Sequence, residues 1–93
     1  MTTAWEYFGR RNARNEIVEL YRMPAGIADP VERFAGQQRL RKGLFWLADP
    51  HDGALSNEWA SGWFDFDDDR LSEQDAARIV ADWATRETWP GRP

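Results

Sequence analysis

The chain has no cysteine, a single histidine, a single lysine and no apolar run of bilayer-spanning length. Each scarcity narrows the reading. Without cysteine there is no disulfide framework and no thiolate metal site. A secreted chain of only 93 residues would ordinarily need such staples, so a reducing, cytoplasmic setting is expected. The opening Met1-Thr2-Thr3-Ala4-Trp5-Glu6 lacks the basic start and apolar stretch of a signal peptide. Crossing a bilayer takes roughly 20 apolar residues, so no membrane partner is expected either. His51 has only Asp49 and Asp52 as polar neighbours and no second histidine to complete a common zinc site. Ser56, Ser61 and Ser72 stand outside any Gly-x-Ser-x-Gly setting, and no phosphate-cradling glycine motif occurs. No catalytic, cofactor-binding or metal-binding residue is assigned, and the chain is read as a non-enzyme without a cofactor.

What is present suits a folded protein. Hydrophobic residues make up 42% and charged residues 30%, a balance that favours a packed core over disorder. Residues 1–93 are read as one α+β domain, since this length leaves too little chain for a second core. The net charge of −4 is unevenly spread: residues 1–48 carry eight basic and five acidic side chains, residues 49–93 four basic and eleven acidic. If the two halves occupy different faces, the molecule is an electrostatic dipole.

The predicted fold is a small antiparallel sheet, an N-terminal β-hairpin plus one or two further strands, packed against one C-terminal α-helix. Residues 4–8 and 16–23, rich in aromatic and β-branched side chains, form the hairpin. Arg11 to Asn15 is its turn, where either asparagine can adopt a left-handed conformation. Alternation puts Val18 and Leu20 on one face and Ile17, Tyr21 and Met23 on the other. Val31 to Phe34 is expected as a short third strand, Arg39-Leu40-Arg41 as a further one, and Leu44 to Leu47 as a buried turn or short helix. Residues 49–62, dominated by turn formers, read as a long connection, followed by a final edge strand over residues 62–66. The clearest helix follows Ser72, an N-cap with Asp75 three residues on. Ala76, Ile79, Val80, Trp83 and Ala84 make its apolar stripe, Arg86 falls in its last turn, and Pro90-Gly91 ends it.

The acidic run Asp65-Phe66-Asp67-Asp68-Asp69 invites comparison with a calcium loop. Counted from Asp65, position 6 is Arg70 where glycine is needed, and position 12 is Ala76 where a bidentate glutamate is needed. The run is therefore read as a solvated approach to a helix.

Six tryptophans, five phenylalanines and two tyrosines exceed what a core of this size readily hides. Trp59, Trp63, Phe64 and Trp89 are the candidates for an exposed aromatic patch, because tryptophan concentrates at binding hot spots. The expected function is thus a small protein-interaction or regulatory module, with another protein or a second copy as partner (a homodimer). An immunity or inhibitor protein is a special case, its acidic half covering a basic active site. The alternative is nucleic-acid binding through Arg10, Arg11 and Arg14 at the hairpin turn, where arginines hold phosphates and aromatic rings stack bases. The acidic overall charge ranks this second.

Overall fold

The computed structural model describes residues 4–93; the first three residues of the opening segment lie outside the described residues. A long antiparallel hairpin forms the middle of the fold, β1 (Trp5–Arg11) with β2 (Ile17–Pro24). Both asparagines of the turn contribute: Asn15 takes the left-handed conformation (φ 62°), and the Asn12 side chain accepts from the amides of Arg14 and Glu16. A bulge at the Arg10/Arg11 step shifts the register. The extra residue breaks the alternation, so Ile17 packs with the Leu20 cluster and not with Tyr21 and Met23 as strict period-two reading expects.

Helix α1 (Pro30–Ala35) follows, replacing the strand expected over Val31 to Phe34. The cause is local: Asp29 caps by accepting from the Val31 amide, and Pro30 sits in the first turn, where its missing N–H costs nothing. Next come β3 (Gln38–Arg41) and β4 (Phe45–Ala48). The run from Leu44 to Leu47 is therefore neither a buried turn nor a helix. Leu44 is in the turn, with φ 62°, and Phe45 and Leu47 are exposed on a strand. Within residues 49–62, read from the sequence as a long connection, lies α2 (Ala54–Ser61), ending on Gly62 in the left-handed conformation (φ 85°).

The expected edge strand over residues 62–66 is instead a turn. The Asp65 carboxylate accepts from the amides of Asp67 and Asp68, and Asp69 accepts from the Asp65 amide. These side-chain bonds offer the backbone a closed turn in place of a ladder. The edge strand comes later and is short, β5 (Arg70–Leu71). Helix α3 (Glu73–Ala84) begins as expected, with Ser72 accepting from the Asp75 amide. Its stripe buries Ala76 and Trp83 and half-buries Ile79 and Val80, while Ala84 is exposed and Arg86 lies past the last helical residue.

Strand order is β4-β3-β2-β1-β5, antiparallel throughout. The architecture is α+β with a small antiparallel sheet, as the sequence predicts, but helices cover both faces. On one face α3 lies over Leu20 and Leu40, with Tyr7, Trp46 and Leu71 alongside. Arg22 is stacked there between the rings of Trp5 and Trp46, at 4.1 and 4.6 Å from their centroids. On the other face Phe8, Tyr21 and Met23 meet Phe34 of α1, Leu55 of α2 and Phe64.

Candidate functional site

The face beneath α1 and α2 is chemically divided. Register places Phe8, Tyr21, Arg39 and Leu47 in one row across four strands, with Arg10 opposite Glu19 further along. The half near Met23 is apolar. The half near Glu19 is charged and nevertheless closed to solvent: Glu19, Gln37 and Arg39 are all buried.

Buried charge persists only when paired and hydrogen-bonded, and the partners here come from distant parts of the chain. Glu19 is reached by Arg10 and Arg39 and, at 2.8 Å, by Arg92 Nε. Arg92 also donates to Asp52 (2.8 Å) and to the Tyr21 hydroxyl (2.9 Å). Burial, together with the Glu19 and Asp52 carboxylates, raises the Tyr21 phenol above its ordinary value. Burial also opposes the charge on Asp52, but hydrogen bonds from Arg92 and the Ala54 amide outweigh it and hold this carboxyl below the ordinary range. Burial works against Arg10 as well, and Glu19 and Glu58 overcome it and keep the guanidinium firmly charged.

The segment after α3 makes this possible by crossing between the two faces. Trp89 packs edge-on against Trp83 on the α3 side, with centroids 5.3 Å apart. Three residues later Arg92 lies on the Glu19 side. The crossing point is Gly91, at φ 67°, where a Cβ would stand 2.4 Å from the Val18 carbonyl oxygen. Only glycine fits that approach. Beyond it, Arg39 donates to the Arg92 carbonyl, and Lys42 and Arg41 donate to that of Pro93.

Against this frame the four aromatic candidates separate. Phe64 belongs to the core, edge-on to Phe8, and contributes nothing to an exposed patch. Trp89 belongs to the opposite face. Trp59 and Trp63 remain on the α2 side, 41% and 83% exposed. Trp59 leans on Phe34 and Phe66 and lines a groove of about 360 Å³ between α1 and α2, with Val31, Ala35 and Pro50 on its walls. Val31, 74% exposed, is a contributor that sequence reasoning missed, because it was expected inside a strand.

Trp63 lies just past the end of α2, in a cleft it shares with Arg11, Asn12 and Asn15 of the hairpin turn. The structure thus brings the exposed indole and part of the basic turn together. Of the three arginines, Arg10 is held by Glu19 and Glu58, Arg11 lies 3.7 Å from Asp69, and Arg14 is exposed. Glu58 and Asp69 also line this cleft.

His51 is exposed beside Asp52, which is committed to Arg92 and Tyr21. Among the described residues there is no cluster of three or more carboxylates and imidazoles placed to hold a metal, and no helix long and apolar enough to cross a membrane. No family model, curated protein or solved structure matches this chain.

Proposed function

We propose that this chain is a small non-enzymatic protein-interaction module whose contact surface is the apolar groove between α1 and α2. The observation that carries this reading is the exposure of Val31 and Trp59 around a preformed groove, with Trp63 more open still on the same side of the sheet. Large apolar side chains gathered on a rigid base lose little entropy when a partner covers them. Phe34 and Phe66 supply that base, their ring centroids 5.4 Å from each other and 5.7 and 6.0 Å from that of Trp59. The acidic turn after Trp63, with Asp67 and Asp68 exposed, suits a partner whose apolar contact is rimmed by basic residues. An inhibitor or immunity protein covering a basic active site is the form of this reading that uses both features.

The experiment is capture on the immobilised chain, then titration of the purified captured protein against wild type, Trp59→Ala and Asp67→Lys. Trp59→Ala is expected to weaken binding at least about tenfold, as at a hot spot. Asp67→Lys is expected to slow association, most clearly at low salt. Unchanged affinity in Trp59→Ala would sink the assignment of this groove.

A second reading rests on the cleft shared by Trp63 and the hairpin turn. A single-stranded nucleic acid would stack a base on Trp63 and set phosphates on Arg11 and Arg14. The carboxylates of Glu58 and Asp69 in that cleft weigh against it. Charge reversal of Arg11 and Arg14 should abolish such binding and flatten its salt dependence, and binding that survives the reversal discards this reading.

A further inference from the structure

We infer that two copies of this chain pair through β4, antiparallel, about a two-fold axis at Leu47, extending each five-stranded sheet into one of ten. This surface is separate from the α1–α2 groove, and the inference stands whether or not the groove binds a partner.

β4 is the outermost strand, and among the described residues nothing pairs with its outer edge. Which backbone groups face outward follows from the ladder. The Asp49 amide donates to the Gln37 carbonyl, and antiparallel bonding alternates from there. Phe45, Leu47 and Asp49 therefore turn their amides and carbonyls toward β3, and Trp46 and Ala48 turn theirs away from the sheet.

Free strand edges usually carry a device against pairing: a charge, a proline, a bulge or a covering loop. The run Phe45-Trp46-Leu47-Ala48 has no charge, proline or bulge, and Phe45 and Leu47 are 51% and 42% exposed. The opposite edge, β5, is only two residues long and follows the acidic turn. Pairing is thus favoured at one edge only, which closes a dimer and does not propagate a fibre.

A second copy fits this edge because the edge complements itself. With Leu47 on the axis, Trp46 of each copy faces Ala48 of the other. The outward amides and carbonyls of those two residues then satisfy one another in four hydrogen bonds, and a large side chain lies beside a small one on the α3 face. The two Leu47 side chains meet directly in a non-hydrogen-bonded pair, where cross-strand contact is closest. The antiparallel arrangement also brings the turn holding Lys42 of one copy toward Asp49 of the other, opposite charges at both ends of the new ladder.

Light scattering of the full chain over a hundredfold concentration range tests this. The expected mass at the upper end is twice that of the chain. Leu47→Lys, which sets two ammonium groups together on the axis, should return the monomer mass with an unchanged far-UV spectrum. Ala48→Pro removes an outward N–H without touching the β3 ladder and should do the same. In the otherwise cysteine-free chain, Leu47→Cys should form an interchain disulfide in oxidised glutathione, two thiols being oxidised as one glutathione disulfide is reduced. Val31→Cys, at a more exposed position, should not match its rate. A monomer at every concentration would overturn the inference. So would a dimer that survives Leu47→Lys and falls apart on Trp59→Ala, which would place self-association in the groove.

Discussion

The two faces of the sheet are closed in different ways. On one, a single amphipathic helix lays Ala76 and Trp83 over Leu20 and Leu40, and Trp89 completes the seal. On the other, two short helices and a turn cover the apolar half, while a charged cluster clamped by Arg92 covers the rest. The first solution buries Trp83 and half-buries Tyr7, Trp46 and Trp89. The second leaves Val31, Trp59 and Trp63 outside. The interaction surface proposed here lies where the two short helices meet and leave these apolar side chains uncovered.

Substitutions on either face test how it is closed. Trp83→Ala should cost about 4 kcal/mol in urea unfolding, a transfer and cavity loss at the centre of the α3 face. A cost below about 1 kcal/mol would mean that α3 is not what closes that side. On the charged half, Glu19→Gln leaves Arg10, Arg39 and Arg92 facing a neutral amide, with an expected loss of about 3 kcal/mol. A near-neutral result would show the cluster to be replaceable polarity.

Arg92→Ala should have a smaller effect, about 1–2 kcal/mol, because half of this side chain is already in water. It should also change the acid limb. The Asp52 carboxyl is held below its ordinary value in the fold, so its stabilising charge is present above about pH 4 and is lost as pH falls through the lower, folded value. Removing Arg92 takes away part of what holds it there, so thermal stability measured between pH 2 and 6 should fall less steeply in the variant. An identical acid limb would show that Arg92 is not what depresses Asp52.

The same contrast decides what could be read from the sequence. α3 was legible because cap and stripe agree at one period, although it ends at Ala84, short of Pro90-Gly91, and the hairpin was legible because its asparagines mark the turn. α1 was not, because a six-residue helix has too little stripe to outweigh the β-branched Val31, although Asp29-Pro30 carried its cap signal. α2 starts at Gly53 without a side-chain cap and was hidden among turn formers. Phe64 and Trp63 are adjacent, yet one is core and the other is the most open indole, a difference fixed by the turn that Asp65 and Asp69 close. Nor could spacing bring Arg92 to Glu19: the two are 73 residues apart, and only Gly91 hints at the crossing.

If the outward side chains around α1 and α2 are kept for contact, they do not hold the fold. Urea unfolding of the double variant Val31→Asp, Trp63→Ala tests this most directly. The expected stability is within about 0.5 kcal/mol of wild type, as for surface positions. A loss of about 2 kcal/mol or more would contradict it, making these residues part of the packing and removing the reason to see an interface there.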